Sequence, residues 1–351
     1  MIVRFANKHP AIIMLAITYA WTWTFWFLAF SVLSDPQGLK LAMFLLGGFG
    51  PAVGGVLTLR LTDSKRDQGP MRWTGFLVGA GLALIALACF RFNVLDVVRS
   101  VGPSRELGIL EFPADSPTWV YLLMALLPLV SGFVFASTQS RDQRLRSFFA
   151  GLVPDHRTLV LAIPVLLFFP VLLIASNMIA TLFGMEYPMP RYLEENVSAW
   201  LPVMCVKLFT VAILTGGNEE HGWRGVLQPL LQKTMNPLVA TLIIGVIWEL
   251  WHLPLVLNGV YGEGDALPIV ISRMLGIIPI AYLLAFIYNG SRGSVFLCVL
   301  SHACMNSQIG YFAGSALASV IGAGLIVGII LVQRWWRKDR GYIPVVETRG
   351  Q

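Results

Sequence analysis

Charge is what this sequence has least of. Only 13% of its 351 residues are Asp, Glu, Lys or Arg, against 56% hydrophobic, a balance that excludes an ordinary water-dissolved globular enzyme. Cysteine is sparse too. Cys89, Cys205, Cys298 and Cys304 are the whole complement, all in apolar stretches and without C-x-x-C spacing, which argues against a disulfide framework and a thiolate metal site and for buried free thiols. Acidic residues are outnumbered, 19 against 25 basic ones. The excess is scattered through short loops between apolar runs, so it reads as membrane topology and not as a nucleic-acid partner. No internal repeat and no Gly/Ser or Pro linker divides the chain.

What the sequence has instead is long apolar runs, each close to the roughly 20 residues that cross a bilayer. They lie near Ala11 to Leu33, Leu41 to Leu59, Trp73 to Phe90, Trp119 to Ser137, Leu159 to Phe183 and Trp200 to Leu214, then Leu238 to Leu257, Ile269 to Tyr288, Val295 to Ile309 and Ala313 to Val332. The first follows Arg4 and Lys8, is too long for a signal-peptide core and reads as a retained helix. Prolines within the runs, such as Pro51, Pro128, Pro164 and Pro170, are tolerated where neighbouring helices re-satisfy the freed backbone groups. The expected fold is an all-α, polytopic transmembrane helical bundle of about ten spans, eight to ten. Residues 1–351 form one integral membrane domain, in which additional N-terminal helices over 11–183 precede a core over 200–310. Basic residues alternate by loop: Arg60, Lys65, Arg66 and Arg72 in one, Arg141, Arg144, Arg146 and Arg157 in another, and Arg334-Trp335-Trp336-Arg337-Lys338 at the end. Both termini are therefore expected in the cytoplasm, with the two tryptophans at the interface, and the lipid bilayer is the first partner. The cell (plasma) membrane is the expected location.

Ionisable groups inside such runs are costly and mark functional sites. They cluster in one part of the chain. Thr215-Gly216-Gly217-Asn218-Glu219-Glu220-His221-Gly222-Trp223-Arg224 breaks a helix at two glycines and restarts it, with Asn218 as the expected N-cap. Glu220 and Arg224, four apart, can pair on one helix face and leave Glu219 free for proton transfer. The bland reading is a helix start whose acids complement the macrodipole. A second pair, Glu194-Glu195, has Ala199 where the arginine should be, so the dipeptide alone means little. Trp248, Glu249 and His252 can line one face of an apolar helix, and His302 and Asn306 share a face of another. Those two side chains can present hydrogen-bond donors to one point. A turn at Met235, Asn236 and Pro237 lies nearly midway between Glu219 and His252, so an antiparallel hairpin would bring the two to similar depth.

Glu219-Glu220-x-x-x-Arg224, then Trp248-x-x-x-His252, then His302-x-x-x-Asn306, in that order, resembles the CPBP family: the CAAX proteases and bacteriocin-processing enzymes, also called the Abi family. The resemblance covers roughly Trp200 to Gly310. Trp248 stands where that family often has Phe, and Glu249 where a small or apolar residue is expected. The resemblance implies an intramembrane endopeptidase whose partner is a peptide or membrane-protein substrate. In that reading Glu219 and His252 activate water, His302 and Asn306 stabilise the oxyanion, and Glu220, Arg224, Trp248 and Glu249 support the site. It leaves open a metal-free glutamate site or a divalent metal such as zinc on Glu219, His252 and His302. The H-E-x-x-H signature is absent.

Other proteases fit less well. Gly262-Glu263-Gly264-Asp265 imitates the G-x-G-D of presenilin-like aspartyl proteases but lies in a polar loop, and none of the nine aspartates sits mid-span. No Gly-x-Ser-Gly turn is placed as in rhomboids. Outside proteolysis, the same Glu and His residues, with Lys207 and Arg273 in apolar runs, would suit a proton-coupled transporter, although inverted repeats are not visible. A catalytically silent scaffold is disfavoured by the complete motif set.

Overall fold

The computed structural model describes residues 2–29, 37–62, 73–91, 126–138, 151–186, 197–262, 264–312 and 316–342. Among them all regular structure is helical. In chain order the helices are α1 (Ile2–Lys8), α2 (Pro10–Phe27), α3 (Gln37–Gly48), α4 (Gly50–Leu61), α5 (Trp73–Arg91), α6 (Leu126–Thr138), α7 (His156–Leu182) and α8 (Val197–Thr210). There follow α9 (Glu220–Gly222), α10 (Gln228–Gln232), α11 (Pro237–Trp251), α12 (Leu253–Leu257), α13 (Ala266–Gly290), α14 (Val295–Phe312) and α15 (Ala316–Gln333). Lys65, Arg66, Arg72, Arg141, Arg144, Arg146, Glu194, Glu195 and Glu263 lie outside the described residues, as does the start of the run from Trp119.

Each of the ten apolar runs overlaps a helix or a bent helix pair. Among the described residues four helices are long and apolar enough to cross a membrane: α2, α7, α13 and the stretch Pro237–Leu257. A fifth span results if Ala42–Gly48 and Gly50–Leu61, bent by 42°, count as one; Trp73–Ala88 and Leu317–Gln333 are apolar but shorter. Pro51 stands in the first turn of α4, where its missing N–H costs nothing, and so falls at this bend. Pro164 and Pro170 stay inside the unbroken α7.

The burial pattern of α7 is inside out for a water-soluble protein. Leu159, Val160, Ile163, Leu167, Val171, Met178 and Leu182 are exposed along its length while Thr158, Ser176 and Asn177 are buried. A continuous leucine-rich face of that size belongs in lipid. Close helix contact uses small residues, as in membrane bundles generally. A Cβ at Gly54 of α4 would strike Thr18 of α2, and one at Gly50 would strike Thr22; the Thr22 hydroxyl donates to the Gly47 carbonyl at 2.7 Å. Cys298 and Cys304 are buried free thiols as expected, but Cys205 is exposed, on the outer side of α8.

Helix direction follows from paired contacts. Tyr19 donates to the Ile247 carbonyl at 2.6 Å and the Trp23 indole to the Trp251 carbonyl at 3.1 Å, so α2 and α11 run parallel. α4 runs back against α2. At the end where α11 begins, the Leu238 N–H donates to the Trp335 carbonyl at 3.2 Å and the Phe296 N–H to the Gly151 carbonyl at 2.8 Å. The Tyr342 N–H meets Asn289 Oδ1 there at 3.0 Å. The expected pair of interfacial tryptophans is corrected: Trp335 is buried against Tyr282, its indole donating to Gln333 at 2.8 Å, and only Trp336 is exposed. Packing of the final turn onto α11 and α13 takes Trp335 inward.

Candidate active site

The chain reaches the site through a broken helix. α8 continues as a widened turn over Val211–Thr215 and stops at Gly216, after which a 3-10 turn, Gly217–Glu219, leads into α9. Asn218 is not the side-chain cap expected from sequence. It reaches across instead, its Nδ2 donating to the Gly48 carbonyl at 3.3 Å, because the 3-10 turn presents it to α3. Gly216 is required by its neighbours: a Cβ there would come within 2.9 Å of Asn306 Nδ2 and 3.1 Å of His302 Nε2. Both polar atoms of α14 thus converge on one point beside the backbone that carries Glu219. Gly222 is equally constrained, lying directly against Pro51.

The adjacent carboxylates have different partners. Glu220, fully buried, is 2.9 Å from Arg224 Nη1 and accepts from His302 Nδ1 at 2.8 Å. Arg224 also reaches the Ala281 carbonyl at 3.4 Å and lies 5.0 Å from the Trp248 ring centroid. The buried charges are paired with each other, the condition under which an ion survives in an apolar interior, although Arg224 Nε has no hydrogen-bond partner among the described residues. Glu219, turned the other way, accepts from the Trp248 indole N–H at 2.7 Å through Oε2. A carboxylate has lone pairs for about four bonds, so Glu219 keeps acceptor capacity for a reactant.

His252 is not well inside an uninterrupted helix, as the sequence suggested. It caps α11, and α12 starts at the next residue with Pro254 in its first turn. Pro254 lacks an N–H to continue the ladder, and the regular helix is interrupted at the histidine within a stretch, Pro237–Leu257, that still runs as one span. Its Nδ1 lies 2.9 Å from the Trp248 carbonyl. A carbonyl only accepts, so Nδ1 carries the proton and Nε2 presents a lone pair in the neutral ring. The imidazole is enclosed by Trp251 at 4.7 Å, Trp26 at 6.1 Å, Trp248 at 6.2 Å and Tyr261 at 6.0 Å between centroids. His302 stands edge-on to the same Trp248 at 5.3 Å.

Glu219, His252 and His302 are therefore gathered around one indole, and Asn306 joins them over Gly216. Glu249 is not part of this group. It turns to α13, where Arg273 Nε donates to its Oε1 at 2.8 Å. No trio of His, Cys, Asp or Glu side chains among the described residues is disposed to hold a metal ion. Glu219, His252 and His302 form no such trio as they stand, although each histidine, with Nδ1 bonded within the protein, keeps Nε2 open in the manner of a zinc ligand. Sequence reasoning missed Trp26, Trp251 and Tyr261; Trp251 adjoins His252, but nothing in the sequence ties Trp26 of the second helix to a site over two hundred residues away.

Residues 199–308 match the family model for Type II CAAX prenyl endopeptidase Rce1-like proteins, the stretch that carries Glu219, Glu220, Arg224, Trp248, His252, His302 and Asn306. The chain is also similar to CAAX prenyl protease 2 of Methanococcus maripaludis, 22% identical over 218 residues that span 59% of this chain and 79% of the relative.

Proposed function

The chain belongs to the CPBP family of CAAX proteases, and on that premise we propose that it is an intramembrane endopeptidase working through Glu219 without a metal. Its substrates are membrane-associated peptides or proteins, and it resides in the cell membrane with both termini in the cytoplasm. The observation that carries this reading is the inequality of the two carboxylates. Glu220 is consumed by Arg224 and His302, whereas Glu219 is held by one indole N–H and faces the same indole as two histidines.

Glu219 takes a proton from water as the water oxygen attacks the peptide carbonyl carbon. His252 Nε2 accepts a hydrogen bond from that water and fixes its orientation. The carbonyl oxygen gains the charge and is met by Asn306 Nδ2 and a protonated His302 Nε2, whose Nδ1 proton is shared with Glu220. Glu219 then returns the proton to the amide nitrogen as the oxyanion re-forms the carbonyl and the C–N bond breaks, giving a free carboxylic acid and a free amine. Trp248 holds Glu219 in register, and Arg224 pairs with Glu220 beside His302.

The test is cleavage of a membrane-peptide library by the purified protein in lipid nanodiscs, with chelator present. Expected is cleavage that survives the chelator and is lost in Glu219→Gln. Full activity in Glu219→Gln, or restoration only by an added metal, would overturn the mechanism.

A further inference from the structure

Glu249 is a buried ionisable group in this region that the proposed chemistry does not use, set in the otherwise uncharged helix α11. Its side chain is wholly buried. A pair of well-packed apolar residues would hold α11 and α13 together at least as well as a buried ion pair. The pairing with Arg273 is through a single Nε–Oε1 contact of 2.8 Å, and Glu249 Oε2 has no protein partner. The geometry of the pair is better suited to placing the guanidinium than to clamping two helices.

What the guanidinium touches is Tyr261. Arg273 Cζ lies 3.4 Å from the Tyr261 ring centroid, a flat stack that Arg makes and Lys cannot. Tyr261 is delivered there by a turn built for it. After α12 the chain reverses through Gly259 at φ +72° and Gly262 at φ +125°, both left-handed positions that favour glycine, with the Val260 N–H bonded back to the Leu255 carbonyl at 3.0 Å. The result is a tyrosine ring set edge-on against His252, nine residues earlier. His252 is 8% exposed and Tyr261 38%. Tyr261 is thus the part of the histidine's enclosure that a substrate entering from outside meets first.

We propose that Glu249, Arg273 and Tyr261 form a positioning relay: Glu249 anchors Arg273, Arg273 holds the Tyr261 ring flat, and the ring is the wall that presses the substrate backbone toward His252. Tyr261 contacts substrate through its ring face and sets affinity; Glu249 and Arg273 act through it. This rests on the protease reading above.

The test is steady-state cleavage of one peptide by intact protein in nanodiscs, with thermal midpoints measured alongside. Tyr261→Ala raises KM about three- to tenfold, the usual worth of an aromatic contact, with kcat nearly unchanged, and Tyr261→Phe restores the wild-type KM. Glu249→Met with Arg273→Met together keeps the thermal midpoint, because the pair is replaced by apolar groups of similar volume, yet shows the raised KM of Tyr261→Ala. A stable double variant with wild-type KM makes the pair merely structural and overturns the relay. Wild-type KM in Tyr261→Ala removes the wall. Absence of cleavage by the wild-type protein removes the protease reading itself, and the relay with it, whereas the preceding outcomes leave that reading standing.

Discussion

Trp248 is the residue on which the site turns, since its indole binds Glu219 and its carbonyl orients His252. Trp248→Phe keeps the ring and the carbonyl but deletes the N–H. A hydrogen bond to a charged group contributes about 1.5–3 kcal/mol, so turnover should fall by one to two orders of magnitude while His252 stays in place; a single-turnover assay reads this directly. Glu219→Gln should abolish cleavage with the thermal midpoint nearly unchanged, because the amide matches the carboxylate in shape and cannot take a proton. Asn306→Ala should slow turnover by about a hundredfold or more, the loss typical of an oxyanion donor. At this scale the sequence was informative for a definite reason. Intramembrane charges are costly, and the i,i+4 rule assigns Glu220 to Arg224, which leaves Glu219 over. It was silent on what surrounds His252, because the partners Trp26 and Tyr261 come from segments that no spacing rule connects.

Helix ends were legible where a side chain caps them and illegible where tertiary contacts win. Asn236 accepts from the Val239 N–H at 2.9 Å, ahead of Pro237, and the turn expected there is present. Asn218 looks the same in sequence and serves another helix, so local propensity was outbid by packing. The interruption at His252 is signalled by Pro254, but the apolar run on either side masks it in the sequence. α7 offers a test at its exposed start. Asp155 accepts from the Thr158 hydroxyl at 2.6 Å and its N–H at 2.7 Å, and these bonds hold its carboxyl below the usual carboxylate range. A depressed folded value means the cap is fully present above the unfolded value and is lost as pH falls through the folded one. Amide exchange over residues 158–160, corrected for intrinsic rate, should therefore accelerate only below about pH 4, and Asp155→Asn should be flat across that window. The Glu220 and Arg224 pair behaves differently. Either charge alone reversed should cost about 3–5 kcal/mol, and reversing both should recover folding better than either, but not activity, because His302 would then face an arginine.

At the scale of the whole molecule, the charge asymmetry that the loops suggested becomes spatial. Contacts between 238 and 335, 296 and 151, and 289 and 342 gather those segments at one end of the bundle. That end carries Arg157, Lys233, Arg292, Arg334, Arg337, Lys338 and Arg340. Because α2 runs parallel to α11 and α4 returns against it, Arg4, Lys8 and Arg60 belong to the same end. The opposite end, where α7 finishes and α12 passes to α13, shows Glu186 and Asp265, with Lys40 at the start of α3 and the Glu249-paired Arg273 as described basic residues toward it. Positive charge near helix ends is retained in the cytoplasm, so the basic end should face inward and the Tyr261 turn outward. His252 follows the fifteen residues of α11, which puts it ~22 Å from the basic end at ~1.5 Å per residue, on the far side of the bilayer midplane. Single cysteines at Asp265 and Lys338, both exposed, distinguish the two orientations in a variant whose native cysteines are replaced. An impermeant maleimide should label Asp265→Cys in intact cells and Lys338→Cys only after permeabilisation. The reverse pattern would turn the bundle over and bring the mouth beside His252 to the cytoplasmic face, with the internal geometry of the site untouched and the source of its substrates exchanged.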